Sequence, residues 1–268
     1  MVAAVRLGGC GQALGRDLSG RVALVTDLLT GVRRILFVHA HPDDETLATG
    51  ALIAHLVGRG VECALLTATR GEQGEVRPGS FTGSAADFPA HREHELAGAC
   101  AALGIGESAW LGEPPALAEG HNPHRYSDSG MRWVTDGVAG PAEHTGPHAL
   151  STVDPQRPLA DLIAAIEHFR PDLMISYDDA GGYGHPDHVA LHRLTGRAAA
   201  ATGIRLAEVV APETPGAEAF DLTEELPTVL AALRHHASQV AIDGDHVVHV
   251  GGQREPILLR TALRERRS

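Results

Sequence analysis

Residues 35–45 read ILFVHAHPDDE, an apolar run that ends in a histidine, a proline and three acids. A continuous run of about four to eight apolar residues is typical of a buried parallel strand. Proline suits the first position of a helix, because its missing N–H would have no partner inside the helix. The segment therefore predicts a buried strand that passes through a polar turn directly into a helix.

The turn carries side chains that suit a metal ion. His41 and Asp44 stand three positions apart after the predicted strand, and ligands of open α/β sheets bind at this carboxyl edge of the strands. An imidazole and a carboxylate are ligands for Zn²⁺, and the neighbouring Asp43 is left to act as a base. His39 shares a strand face with His41 by the two-residue period of a strand, and we favour a packing role for it over ligation.

The composition limits the classes of function. Of the 268 residues, 43% are hydrophobic and 21% charged, as in an ordinary globular protein. The net charge of −12 argues against nucleic acid as a partner, and no apolar run approaches the roughly 18–20 residues of a membrane span. All 22 lysine-or-arginine positions hold arginine, which excludes Schiff-base catalysis and a Walker-type phosphate loop. The three cysteines lack C-x-x-C spacing, which fits a cytoplasmic protein.

Strand-like and helix-like segments alternate along the chain. This alternation predicts a Rossmann-like, mostly parallel α/β sheet with helices on both faces and the site at the carboxyl edge of the strands. Beyond the first strand, the predicted strands are residues 61–69, 108–111, 173–177, 207–210 and 247–250. The predicted helices are residues 46–59, 90–103, 159–169, 188–201 and 227–239.

The remaining segments carry weaker signals. Residues 112–158 are rich in Gly, Pro and His and are predicted to be mostly loop, with room for one short helix. Residues 1–31 are interpreted as a loosely ordered N-terminal extension, and residues 32–268 as a single domain.

A second motif, YGHPDH at residues 183–188, also follows a predicted strand. Like the first motif, it places a proline after a histidine, with another candidate ligand three residues after that histidine. A catalytic zinc takes three protein ligands and keeps one position open for water. The ligands that the two turns supply together are His41, Asp44 and His188. The polar side chains left for chemistry and orientation are Asp43, His185 and Asp187.

Most of the 17 histidines need no functional role. A single H-P-D turn is more often a helix cap than a metal ligand, whereas two such turns, each at the end of an apolar strand, favour a shared site. His235 and His236 lie on the last predicted helix and are expected at the surface.

The two motifs together resemble the PIG-L/LmbE family of zinc-dependent N-acetyl-sugar deacetylases. The resemblance runs from about residue 34 to residue 206, with a further C-terminal fragment. Three short segments are similar to one branch, the actinobacterial deacetylases of mycothiol biosynthesis, which remove acetate from N-acetyl-glucosaminyl-inositol. These segments are GEQGEV at residues 71–76, DSGM at 128–131 and HASQ at 236–239.

The resemblance implies a metal centre and a base. Zinc would bind to His41, Asp44 and His188, and Asp43 would act as the general base. Fe²⁺ accepts the same ligands, so the native metal stays open.

The resemblance also implies roles for the residues around the metal. His185 would stabilise the oxyanion or protonate the leaving amine, and Asp187 would orient it. Tyr183 would close over the scissile amide and polarise its carbonyl. Arg92 and Asp128 would bind the sugar hydroxyls.

These features predict a cytoplasmic hydrolase that acts on a small-molecule amino sugar, with neither nucleic acid nor membrane as a partner. Self-association into a homo-oligomer stays open. Two alternative enzymes stay open as well: an amidase acting on a mycothiol S-conjugate and a deacetylase of another glycoconjugate. A metal-dependent sugar-binding module without catalysis is the alternative from a different class.

Overall fold

A computed structural model describes residues 28–135 and 137–266. The described residues from Gly31 onward form one compact unit. The predicted N-terminal extension lies outside the described residues except for positions 28–31, so its loose order stays a prediction, as does the single domain over residues 32–268. Among the helices of the described residues, none combines the length and the apolar character that a membrane crossing requires.

Strands and helices alternate along the described residues. The strands are β1 (Arg34–His39), β2 (Glu62–Thr67), β3 (Glu107–Trp110), β4 (Met131–Thr135), β5 (Val138–Pro141), β6 (Leu173–Tyr177), β7 (Arg205–Val210), β8 (Glu218–Asp221), β9 (Val240–Asp243), β10 (His246–His249), β11 (Arg254–Pro256) and β12 (Arg260–Glu265). The helices are α1 (Asp44–Leu47), α2 (Gly50–Gly58), α3 (Phe88–Leu103), α4 (Gln156–Phe169), α5 (Gly181–Gly184), α6 (Pro186–Thr202) and α7 (Leu226–Leu233), with a 3₁₀ turn at Thr223–Glu225.

The main sheet has seven strands in the order β3-β2-β1-β6-β7-β12-β8. The first five strands in this order are parallel, and β12 runs antiparallel to both β7 and β8. The predicted mostly parallel α/β sheet is therefore confirmed. From β1, the sheet extends through β2 on one side and through β6 on the other. Open α/β sheets bind their ligands at such a switch point, and the two motifs follow β1 and β6.

Helices cover both faces of this sheet. Crossovers between parallel strands are right-handed. The connections through α2 and α3 lead away from β1 towards β3, whereas those through α4 and α6 lead in the other direction, towards β7. The two pairs of helices therefore lie on opposite faces of the sheet. Leu36 and Val38 of β1 pack in a core with side chains of α4 and α6, whereas Ile35 and Phe37 point to the opposite face. All four side chains are at most 1% exposed, as the continuous apolar run of β1 predicts.

The helix predicted over residues 46–59 is wrong, because two helices occupy this range. The break between α1 and α2 falls at Ala48 and Thr49. The Thr49 hydroxyl donates to the Glu45 carbonyl oxygen at 3.0 Å and lies 2.9 Å from His39 Nε2. A threonine that bonds the preceding turn in this way competes with the regular helix. The contact also places His39 in the core, in agreement with its predicted packing role.

Three other expectations need correction. Residues 112–158 contain a hairpin of β4 and β5 where one short helix had been allowed. The residues MRWVT of β4 include the β-branched and aromatic types that favour strands. The predicted strand at 247–250 is β10, but it lies in a separate sheet with β9 and β11. The helix predicted over 227–239 ends at Leu233.

Candidate metal centre and active site

The first turn joins β1 to α1. Pro42 lies within this turn and does not occupy the predicted first helical position, because α1 begins two residues later at Asp44. Asp43 precedes the helix with a φ of 102°, a conformation in which few non-glycine residues are found. The backbone N–H of His41 donates to Asp44 Oδ2 at 2.9 Å. The predicted metal ligand Asp44 therefore closes the turn that carries the predicted ligand His41.

The second turn leads from β6 to α6. Pro186 occupies the first helical position, two residues before the predicted start of this helix at residue 188. His185 caps the helix by accepting the backbone N–H of Asp187 at its Nδ1, at 3.2 Å. His188 Nδ1 lies 3.1 Å from the carbonyl oxygen of Gly181, and only a protonated Nδ1 can donate to a carbonyl. The lone pair of a neutral His188 is therefore on Nε2, which faces the first turn.

The structure brings the three predicted metal ligands together. Asp44 Oδ2 lies 3.3 Å from His41 Nδ1 and 3.3 Å from His188 Nε2. The hydroxyl of Tyr177 donates to the same Asp44 oxygen at 2.8 Å, and the Tyr177 ring stacks on His188 at 4.1 Å. Within the described part of the chain, His188 Nε2 is buried and makes no hydrogen bond. A buried nitrogen without a hydrogen bond beside a carboxylate fits a metal ligand.

Further donors lie beside these three. The side chains of His41, Asp128, His185 and Asp187 offer ligand atoms within 4.8 Å of one another, and so do those of His41, His185 and His188. His41 Nε2 is 3.2 Å from Asp187 Oδ2 and 3.6 Å from Asp128 Oδ1. A proton on Nε2 that is donated to Asp187 leaves Nδ1 of His41 free to bind a metal on its other side.

Negative charge is concentrated around His41. Burial alone would lower the pKa of this histidine, but the neighbouring carboxylates raise it above its ordinary value; they belong to Asp128, Asp187 and Asp44. Burial would likewise raise the pKa of Asp44, yet His188 and His41 hold it well below its ordinary value. An imidazole surrounded by carboxylates attracts positive charge, which a divalent metal ion would supply.

Asp43 lies at the edge of this group. Its side chain is 16% exposed, whereas that of Asp187 is fully buried. Burial raises the pKa of Asp43 to about 6, an effect that Arg92 opposes and Asp44 reinforces. Arg92, predicted to bind the sugar, is itself buried; its guanidinium lies 3.3 Å from Asp43 Oδ2 and donates to the carbonyl oxygen of Pro42. Arg92 therefore fixes the Asp43 carboxylate at the edge of the centre.

Asp187 and Asp128 connect the second turn to the segment before β4. Asp187, predicted to orient His185, contacts that ring through its backbone N–H, while its carboxylate accepts the N–H of Ser129 at 2.9 Å and the Ser129 hydroxyl. Asp128, predicted to bind the sugar, places Oδ1 3.9 Å from His185 Nε2. Ser129 thus anchors the start of the hairpin to the metal centre, a contact that sequence reasoning missed.

Tyr183 stands at the rim of the centre. Its ring centroid lies 5.1 Å from that of His188 and 6.2 Å from that of His185, and its side chain is 40% exposed. The next residue, Gly184, has a φ of 93°, and a Cβ added there would lie 2.8 Å from the carbonyl oxygen of Ala139 in β5. The hairpin therefore packs directly on the backbone of the second turn.

Sequence reasoning also missed a buried ion pair beneath Asp43. The expected surface position of His236 is wrong, because its side chain is fully buried, with Nε2 2.7 Å from Glu45 Oε1. Burial alone would lower the pKa of His236, but Glu45 raises it above its ordinary value. Glu45 Oε2 accepts the backbone N–H of Asp43 at 2.9 Å. The only sequence signal for this contact is the HASQ segment at residues 236–239.

Comparison with known proteins assigns the family. The model of the PIG-L family, described as GlcNAc-PI de-N-acetylase, matches residues 36–199. The chain belongs to the PIG-L family. This PIG-L chain is 36% identical over 283 residues to the 1D-myo-inositol 2-acetamido-2-deoxy-alpha-D-glucopyranoside deacetylase of Kineococcus radiotolerans, covering 88% of this chain and 76% of that protein. The corresponding deacetylase 1 of Saccharopolyspora erythraea is 35% identical over 249 residues, covering 79% of each.

A solved structure shows the same fold. The N,N'-diacetylchitobiose deacetylase from Pyrococcus horikoshii has a TM-score of 0.56 to this PIG-L chain and 20% sequence identity, covering 78% of this chain and 71% of that chain. The likeness concerns the fold alone. The family predicted from the two HPD motifs is confirmed by the family match over residues 36–199 and by the two relatives.

Replacing Glu45 by alanine is expected to destabilise the protein strongly. The substitution leaves the buried His236 without its partner, and breaking a buried pair in this way costs roughly 3–5 kcal/mol. The free energy of unfolding from urea titration measures the loss. Asp243→Ala is the matched control, because Asp243 pairs with Arg254 at 2.8 Å with both side chains about half exposed, and exposed pairs contribute about 0–1 kcal/mol. A loss for Glu45→Ala as small as that of the control would contradict the buried pair.

The close packing of β5 on the second turn can be tested with two glycines. Gly184→Ala is expected to cost roughly 2–4 kcal/mol of unfolding free energy, from the positive φ and from the overlap with Ala139. Gly203→Ala shares the positive φ, at 75°, but an added Cβ would meet nothing within 4 Å, so a loss of about 1 kcal/mol is expected. Equal losses at the two positions would show that β5 does not press on Gly184.

Proposed function

We propose that this PIG-L protein is a metal-dependent hydrolase that removes acetate from N-acetyl-glucosaminyl-inositol, an N-acetylated amino sugar of mycothiol biosynthesis. The observation that carries the proposal is the convergence of His41, Asp44 and His188 beside the more accessible carboxylate of Asp43. The names of the two relatives support the substrate, since both describe the deacetylation of an inositol-linked amino sugar.

His41, Asp44 and His188 would hold the metal. A bound Zn²⁺ supplies a Lewis acid for the amide carbonyl and lowers the pKa of water towards about 7. The buried Nε2 of His188 and the Nδ1 of His41 face the same Asp44 oxygen, and the surrounding carboxylates fit a cation. Zinc is the metal that the ligand set predicts, and Fe²⁺ is served by the same donors.

Asp43 takes the proton of the attacking water. With a pKa of about 6, its carboxylate is mostly ionised at neutral pH and yet basic enough to accept a proton, which is the condition for an effective general base. Arg92 at 3.3 Å and the backbone bond to Glu45 hold the residue in place. The same residue then carries the proton towards the amine as the C–N bond breaks, so that acetate and a free amino sugar leave.

His185 and Tyr183 stabilise the oxyanion that develops on the amide carbonyl by donating hydrogen bonds to it. Because His185 Nδ1 accepts the backbone N–H of Asp187, the proton of the neutral ring is on Nε2, on the side of the metal ligands. Burial lowers the pKa of His185 to about 3, reinforced by His41 and His188, so the ring acts as a neutral donor. Tyr183 can add its hydroxyl from the rim. Such donors contribute about 3 kcal/mol each to transition-state stabilisation.

Three further expectations remain predictions. Arg92 and Asp128 are predicted to bind the sugar hydroxyls, and here both lie within the network around Asp43 and His185. A cytoplasmic location and self-association into a homo-oligomer remain predictions as well.

Acetate release tests the proposal. The zinc-loaded protein is expected to release acetate from N-acetyl-glucosaminyl-inositol much faster than from N-acetylglucosamine. Asp43→Ala should retain the metal and lose about 10²–10⁴-fold in turnover, because only the base is removed. His41→Ala should lose both the metal and the activity. Acetate by enzymatic assay and metal by mass spectrometry give the two readouts.

The outcomes separate the alternatives. Near-normal turnover of Asp43→Ala would show that Asp43 is not the general base. Equal, slow rates on both sugars would keep the deacetylase chemistry and reject the inositol-linked substrate. Hydrolysis of a mycothiol S-conjugate without acetate release from either sugar would identify an amidase, and tight sugar binding without any hydrolysis would identify a binding module.

A further inference from the structure

The exposed apolar side chains of this protein are concentrated at one place. Five large hydrophobic side chains are exposed among the described residues, and four of them lie on the β4–β5 hairpin or on the turn beside it. These four are Trp133, Val134, Val138 and Tyr183. A cluster of exposed apolar groups next to a candidate active site is a feature of ligand-binding surfaces.

The register of the hairpin shows which face each side chain occupies. Trp133 pairs with Ala139 across the two strands, and directly paired residues project to the same face. Ala139 is buried, and its backbone lies against Gly184 of the second turn. The ring centroid of Trp133 is 5.9 Å from that of Tyr183, which lies 5.1 Å from that of His188, so the indole lies on the face turned towards the metal centre.

Val134 occupies the opposite face. Gly140 alternates with Ala139 along β5, and a Cβ added to Gly140 would lie 2.5 Å from Val134 Cγ2. Val134 is 57% exposed and Trp133 51%. The two adjacent residues are therefore similar in exposure, but only Trp133 faces the site.

Both strands of the hairpin are fixed to the catalytic turn. The segment before β4 is held by Ser129, which donates its backbone N–H and its hydroxyl to Asp187. The β5 strand is held by the contact of Ala139 with Gly184. The position of Trp133 relative to His188 is therefore set through two separate contacts, with Tyr183 between the two rings.

We propose that Trp133, together with Tyr183, forms a subsite for the ring that is linked to the anomeric carbon of the amino sugar. This inference rests on the proposed function, because it takes the acetamide group to lie at the metal centre next to Tyr183. The ligand class is a saturated polyol ring, a cyclitol or a second sugar, whose C–H face packs on the indole while its hydroxyl groups remain in water. An indole offers a large rigid apolar face for this contact and an N–H for a hydroxyl.

Kinetics on two substrates test the subsite. Trp133→Ala is expected to raise KM for N-acetyl-glucosaminyl-inositol about tenfold with kcat within twofold of the wild-type value, since the ring contact contributes to binding and leaves the chemistry unchanged. The same variant should leave kcat/KM for N-acetylglucosamine unchanged, because that sugar lacks the linked ring. Val134→Ala is the matched control and should change neither substrate, and Trp133→Phe should recover most of the loss.

Two kinetic results would overturn the subsite. An equal effect of Trp133→Ala on both substrates would mean that the indole supports Tyr183 and does not contact the linked ring. No effect on either substrate would mean that Trp133 binds no part of the substrate, as expected if the patch docks another protein.

A binding measurement keeps this inference separate from the proposed function. Glucosaminyl-inositol, the product of the proposed reaction, should shift the tryptophan fluorescence of the wild-type protein to the blue, and Trp133→Phe should lack the shift. Glucosamine alone should produce no shift. A shift in a protein that releases no acetate would support the subsite and reject the hydrolase, whereas acetate release without a shift would reject the subsite and leave the hydrolase intact.

Discussion

Carboxylates crowded around one buried histidine are the constraint on which the rest of the structure depends. Asp44, Asp128 and Asp187 all approach His41 within 3.6 Å, and each is at most 8% exposed. Charges removed from water in this way are stable only when they are paired and hydrogen-bonded. The centre therefore requires positive charge, which a divalent metal ion bound to its His and Asp side chains would provide.

The fold meets this requirement by bringing two turns to one point. The strand order reverses between β1 and β6, so the turns that follow these strands face each other at the carboxyl edge of the sheet. Tyr177, the last residue of β6, holds Asp44 of the first turn. Glu45 is held in turn by His236, far along the chain. Distant segments thus fix the side chains of the centre before any substrate is bound.

The sequence was sufficient to predict the sheet class and the two turns that the fold brings together. Both are encoded locally, as an apolar run followed by an H-P-D turn. The burial of His236 could not be predicted, because its partner lies 191 positions away and leaves no periodic pattern around it. At the break, the Thr49 hydroxyl donates to the Glu45 carbonyl oxygen and contacts His39 across the turn, and a helical pattern cannot reveal these contacts.

The hairpin shows a different limit of sequence reasoning. Both strands are short, and four of the five residues in β4 are exposed, so no alternation of apolar and polar residues marks the element. Its position depends on Ser129 and Gly184, whose contacts become visible only in three dimensions. The residues of the two turns are therefore readable from the sequence, whereas those that shape the rim of the site are not.

The central claim is that His41, Asp44 and His188 hold the metal. The most direct measurement is anomalous diffraction at the zinc absorption edge from crystals of the zinc-loaded protein. The account predicts one anomalous peak within coordination distance, about 2.0–2.2 Å, of these three side chains. A peak bound instead by Asp128, His185 and Asp187, or no peak in this region, would contradict it.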